Sequence, residues 1–227
     1  MSTLRTVLRD ARLVAGRDLR IEARSRVVID QVLPFAVLVL VLFGFALDAD
    51  HRTLRTFAPG LFWVTVLLSA LLAIQRSASL DSADGTGTSL RMSGLSPVAR
   101  YLGRTAAVFV QLLALEALLV GGLVVLYGVS VEEWFLLVVA GVVAGVAVAA
   151  AGTLYGALAS GLRARETLLP ILVLPVLAPV LIGATRAFDD ALGVAAVDGW
   201  AWTGLLAVAA LVLTVVGASA HGALVED

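Results

Sequence analysis

Six long apolar runs, separated by breaks that carry most of the charge, constrain this chain more than any other feature. They lie at about 28–47, 57–75, 105–127, 134–160, 168–185 and 200–220. Each is close to the roughly 17–25 residues of helix that cross a bilayer core. Within a run the residues are uniformly apolar rather than alternating, which indicates helices and not barrel strands. With 60% of 227 residues hydrophobic and 15% charged, the chain has more apolar side chain than a water-soluble core of this size buries. An ordinary soluble enzyme is excluded. An all-α integral membrane protein with six transmembrane helices is expected. The first run is strictly apolar only from Val32 to Leu47 and borrows Val28 and Ile29. The fourth is longer than a bilayer needs and is expected to tilt or run on into the cytosol.

Arginine sets the orientation. Residues 1–27 hold seven, 76–104 four and 161–167 two, whereas the alternate breaks 48–56, 128–133 and 186–199 hold two, none and one. Thirteen against three is a positive-inside signal that puts both termini in the cytoplasm. The first run follows seven arginines and no small-x-small cleavage pattern comes after it, so a cleaved signal peptide is not expected. The chain therefore divides into a cytoplasmic tail, 1–27, and a transmembrane domain, 28–227, with one sizeable cytoplasmic loop, 76–104. No internal repeat or appended soluble domain is expected.

The missing residue types exclude several chemistries. The chain has no cysteine, which removes disulfides, thiolate catalysis and cysteine-ligated metals. All 16 basic residues are arginine, and a phosphate-binding loop of the Walker type needs a lysine. Gly85-Thr86-Gly87-Thr88-Ser89 is glycine-rich but is not such a loop, so any ATP-derived work must come from another chain. His51 and His221 stand alone at span edges, and no catalytic constellation accompanies either.

Four features remain as functional candidates. The tail is a cationic amphipathic helix, with Leu4, Val7, Leu8, Ala11, Val14 and Ala15 on one stripe and Arg5, Arg9, Arg12, Arg20 and Arg24 opposite; it is expected to lie in the membrane interface. Asp18 and Glu22 interrupt the apolar stripe and either pair with nearby arginines or meet a cytoplasmic partner. In the loop, residues 81–89 read as a turn. Ser89 can cap a short helix through Leu90, Met92 and Leu95 that Pro97 ends, a shape suited to a partner's groove. Glu116 is the one carboxylate near the middle of a span, where an ionised group costs on the order of a few kcal/mol, and Gln111 lies on a different face of that span. In the fifth run Pro170, Pro175 and Pro179 are expected to kink or break the helix, and 186–199 could re-enter the outer leaflet as a hairpin. Gly141, Gly145, Ala149, Gly152 and Gly156 in the fourth run suit close helix packing.

Several strings resemble the haem exporter protein B family, the ABC-2-type permease subunit of the cytochrome c maturation system. Arg17-Asp-Leu-Arg-Ile-Glu-Ala-Arg24 is similar to its amino-terminal entry. Ala58-Pro-Gly-Leu-Phe-Trp-Val64, running on to Leu71-Leu-Ala-Ile-Gln-Arg76, resembles its second span. Asp84-Gly85 with Leu95-Ser-Pro97 resembles its cytoplasmic loop, and Leu172-Val-Leu-Pro175 with Pro179-Val-Leu-Ile-Gly183 its fifth span. The loop departs from the family pattern in its extra Gly, Ser and Thr residues between Asp84 and Leu95, and Gln75 stands where an acidic residue is expected.

The resemblance implies a dimerising permease of a prokaryotic cytoplasmic membrane. It would bind a separate ATPase and work beside haem-handling membrane subunits. The ATPase-coupling surface would then comprise Asp18, Glu22, Asp84, Gly85, Leu90, Leu95 and Pro97, and a transport path would involve Gln111, Glu116, Pro175 and Pro179. No directly bound cofactor or metal is expected; haem is the transported or handled ligand. The four tryptophans at 63, 134, 200 and 202 read as residues of span ends rather than a haem-binding motif. Three other classes fit the same composition: an ABC-2-type exporter of a drug, lipid or glycan, a proton-coupled carrier using Glu116, and a membrane scaffold.

Overall fold

The computed structural model describes residues 2–26, 28–46, 51–83, 95–159 and 165–226, and among them every regular element is helical. α1 spans Ser2–Ser25. A π turn over Val28–Val32 leads into α2, Leu33–Ala46. Then come α3 (His51–Ala83), α4 (Pro97–Tyr127), α5 (Trp134–Ala159), α6 (Arg165–Ala191) and α7 (Gly199–Glu226). Five of these contain stretches long and apolar enough to cross a membrane: Arg52–Gln75, Pro97–Tyr127, Trp134–Ala159, Leu169–Ala191 and Gly199–His221. The first expected run appears as a shorter apolar helix, Asp30–Ala46.

α5 is the axis of the bundle. Its Ala/Gly/Val sequence has little side chain to keep helices apart, so α3, α4, α6 and α7 all pack against it, as small-residue faces allow. Ala140, Ala144, Ala147 and Val148 are fully buried. The outer helices instead present apolar side chains outward, as Leu205, Val208, Leu211 and Val215 do on α7. Such surface suits lipid and not water. α2 sits at the edge against α3 and α4, held by the buried Tyr127 hydroxyl, which donates to the Leu40 carbonyl at 2.7 Å.

The amphipathic tail forms its helix, but only a narrow part of its stripe is buried. Ala11 and Val14 are covered while Leu8 is 56% exposed. α1 lies on α4 because Gly103 lets the two backbones meet: a Cβ there would stand 2.5 Å from the Ala11 carbonyl oxygen and 2.6 Å from the Val14 Cβ. Arg26, at φ 54°, turns the chain out of α1 in the left-handed region.

Several sequence expectations are corrected. Pro97 begins α4 behind Ser96, an N-cap whose hydroxyl accepts from the Ala99 N–H at 3.2 Å; the short helix expected ahead of it, through Leu90 and Met92, lies outside the described residues. Proline fits a first helical turn because that turn's N–H groups have no intrahelical partner. α6 runs unbroken through Pro170, Pro175 and Pro179. In a membrane the remaining backbone bonds hold a helix together around individual prolines. Residues 186–191 continue α6 rather than re-entering the leaflet, and only residues 192–198 separate it from α7. That link is closed by Val194 N–H to the Asp189 carbonyl (2.8 Å) and Gly199 N–H to Asp190 Oδ2 (2.9 Å). Trp63 is not at a span end: α3 begins at His51, so Trp63 falls inside the helix and is 1% exposed.

Candidate functional site

Two carboxylates are buried among the described residues, Asp189 near the end of α6, where it meets Arg186, and Glu116 in the middle of α4. Glu116, on the face of α4 turned to α5, is 5% exposed, and its Oε1 has no hydrogen-bond partner. Its bed is the glycine face of α5. A Cβ on Gly141 would lie 3.2 Å from Glu116 Oε2, and one on Gly145 would lie 3.1 Å from Oε1. The two glycines are one helical turn apart, so their missing side chains open a single notch that the carboxyl group fills. Phe109 of α4 borders it, 3.4 Å from the position a Gly145 Cβ would take, and Phe188 of α6 comes within 3.8 Å of that at Gly141.

Phe188 connects this notch to an aromatic cluster. Its ring lies 4.9 Å from Phe62 and 5.1 Å from Trp63, with Phe62 and Trp63 edge-on at 5.3 Å. α3, α4, α5 and α6 thus meet around the Glu116 carboxyl group and three clustered rings. More polar atoms are buried in the helices without partners: Trp63 Nε1, Ser69 Oγ, Thr105 Oγ1 and Thr153 Oγ1. Thr65 satisfies its own hydroxyl on the Leu61 carbonyl at 2.7 Å. A buried polar atom without a partner costs about 1–3 kcal/mol. Among the described residues no group of three or more His, Cys, Asp or Glu stands together to hold a metal.

The other expected path residues do not converge on Glu116. Gln111 is half-buried, and Pro175 and Pro179 are exposed on α6. Of the expected coupling residues, Asp84, Gly85 and Leu90 lie outside the described residues. Leu95 and Pro97 are half-buried at the entry to α4. Asp18 and Glu22 are half-buried on α1, with Arg17 Nη1 donating to Asp18 Oδ1 at 3.4 Å. The α1–α4 contact and the α4 entry therefore share one end of α4, while Glu116 lies deeper along it.

Sequence reasoning missed Phe188, Phe62 and Phe109, whose apolar side chains look alike along any span. It also read Gly141 and Gly145 as packing residues alone. A glutamate in one run and glycines one turn apart in the next are visible signals, but their registration is a tertiary fact.

An apolar bundle around α5, with five helices long enough to span a bilayer, defines a multi-pass membrane protein. Residues 10–226 match the model of the family described as CcmB protein, and the chain belongs to that family. It is similar to Heme exporter protein B of Haemophilus influenzae, 32% identical over 185 residues that cover 78% of this chain and 80% of the relative. It resembles the protein of the same name from Pseudomonas aeruginosa at 30% identity over 206 residues, 89% of this chain and 91% of the relative. The Escherichia coli K12 protein of that name is 32% identical over 187 residues, 81% of this chain and 83% of the relative.

Proposed function

We propose that this chain is the membrane permease subunit of an ABC transporter acting in haem export or handling for c-type cytochrome biogenesis. The observation that carries the reading is the continuous family match from residue 10 to residue 226, which takes in most of α1 and every later helix. Haem is its cargo or handled ligand, not a resident cofactor. In this reading α2 completes six spans in a prokaryotic cytoplasmic membrane, both termini are cytoplasmic, and the permease works as a homodimer beside haem-handling membrane subunits. A separate ATPase supplies the energy, since the chain has no lysine for a phosphate loop. It docks on the end of α4 where α1 crosses, using Asp18, Glu22, Asp84, Gly85, Leu90, Leu95 and Pro97. The Glu116 notch is the element in the bundle that responds.

Deleting the gene tests the reading. Covalent haem attachment to c-type cytochromes is expected to disappear while b-type haemoproteins persist, and an ATPase is expected to co-purify with the tagged chain. Normal haem-stained c-type cytochromes in the deletion strain would overturn it. A second reading, a proton-coupled carrier working without ATP, is favoured by one observation, the buried and unpartnered Oε1 of Glu116. A co-purifying ATPase required for activity eliminates that reading.

A further inference from the structure

A cavity of about 370 Å³ opens at the end of the bundle where α4 stops and α5 starts, lined by Arg52, Arg55, Thr56, Gly193 and Val194. Its walls are the first turns of α3 and the link between α6 and α7. The α4–α5 link closes in beside them. Arg55 Nη2 donates to Ser130 Oγ at 2.7 Å, and the Glu132 and Glu133 N–H groups donate to the Ala191 carbonyl at 2.9 and 3.0 Å. The volume falls at the small end of the roughly 300–1,000 Å³ range of ligand sites.

The donors of this cavity can be followed one by one. Thr56 spends its hydroxyl on the Arg52 carbonyl at 2.9 Å. The Gly193 N–H goes to the Asp190 carbonyl at 2.9 Å and the Val194 N–H to the Asp189 carbonyl at 2.8 Å. What remains is guanidinium, which carries five N–H donors and no acceptor. Ser130 is neutral, so it fixes Arg55 in place without cancelling its charge. Glu132 packs its carboxylate over Gly193, yet among the described residues no carboxylate forms an ion pair with Arg52 or Arg55.

The placement of the two arginines works against the helix that carries them. Residues three apart share a helix face, where like charges repel. The start of a helix also bears partial positive charge and disfavours cations, and the first turn of α3 has no acidic residue to offset them. Neither helix stability nor ion pairing accounts for the pair. A negatively charged acceptor between the two forks satisfies both, since guanidinium binds carboxylate and phosphate through paired, charge-assisted hydrogen bonds.

We propose that Arg52 and Arg55 bind the oxyanion group of a ligand, a phosphate or a carboxylate, in this cavity. The proposal uses only the geometry of the bundle and goes beyond the haem-handling reading, on which it does not depend.

The test uses the full chain in phosphatidylcholine nanodiscs, with arginines modified by phenylglyoxal and the rate at each site read by mass spectrometry. Two probes supply the oxyanion from different sources: inorganic phosphate in solution, and phosphatidylglycerol added to the bilayer. At least one is expected to slow modification of Arg52 and Arg55 about tenfold, while Arg9 and Arg12 of α1 serve as exposed references and chloride at matched ionic strength gives no such protection. Protection by phosphate assigns the site to a free anion, and protection by phosphatidylglycerol alone assigns it to a lipid headgroup. Arg52→Gln, at an exposed position, is expected to weaken binding of the protecting probe about tenfold, as judged from Arg55, in line with loss of a hydrogen bond to a charged group. No protection by either probe in the wild-type chain overturns the proposal, as does equal protection by chloride. Undiminished protection of Arg55 in Arg52→Gln overturns it as well. So does protection seen only while another protein is bound, which gives the arginines to a partner's carboxylate.

Discussion

Two places along α4 use glycine to bring something unusually close, and they differ in what arrives. At Gly103 the visitor is a backbone: the Ala11 carbonyl and Val14 of α1 occupy the space of the missing side chain. At Glu116 the glycines belong to the neighbour, and Gly141 and Gly145 of α5 make room for a carboxyl group. The first contact sets a backbone carbonyl and the Val14 side chain in the space a Cβ would take. The second leaves Oε1 buried without a hydrogen bond, an expense that packing alone does not require. Close approach at Gly103 is therefore architecture, whereas close approach at Glu116 keeps a polar group available inside the bundle.

The comparison breaks most visibly at Gly103. Gly103→Leu places side chain where α1 lies, and overpacking of this kind typically costs about 1–3 kcal/mol. Because α1 touches little else, the expected result is its release from α4, read as new protease cleavage within residues 5–20 while the long helices stay inserted. Unchanged protection of α1 would show that Gly103 is not the hinge of that contact.

Gly145→Ala tests the other side with a smaller change. Its Cβ would stand 3.1 Å from Glu116 Oε1 and 3.4 Å from Phe109, closer than ordinary contact, so the carboxyl group must shift by a few tenths of an ångström. A destabilisation of about 1 kcal/mol is expected, with activity falling further than abundance. Equal losses of both would place Gly145 with Gly103 as a packing residue.

Tyr127→Phe serves as the control for ordinary interior hydrogen bonds. Removing the donor to the Leu40 carbonyl is expected to cost about 1 kcal/mol and to loosen α2 without changing activity per folded molecule. An activity loss larger than the stability loss would mean that the α2 contact belongs to the working machinery.

Much of this was legible in the sequence because apolar runs and arginine counts are one-dimensional signals. The five long spans, the amphipathic α1 and the buried mid-span Glu116 all follow from residue type and period. The misread parts depend on which surfaces meet. The stripe on α1 included Leu8, yet the contact uses Ala11 and Val14 because Gly103 admits only that crossing point. Proline ends helices as readily as it starts them, and the Ser96 cap is what marks Pro97 as the start of α4. Trp63 read as a span-end residue until the start of α3 at His51 placed it mid-helix. The glycine bed of Glu116 needs the register of α4 against α5, which no local pattern encodes.

The most direct measurement of the central claim is the haem content of c-type cytochromes in a deletion strain complemented with Glu116→Gln, set against the abundance of the variant in the membrane. Glutamine keeps the shape of the side chain and fits the same notch but cannot ionise. Wild-type abundance with at least about a tenfold loss of cytochrome haem is expected if the carboxyl group works in coupling or transport, a difference of about 1.4 kcal/mol. Full maturation with Glu116→Gln, together with loss of both abundance and maturation in Glu116→Leu, would contradict it and leave Glu116 a structural residue like Gly103.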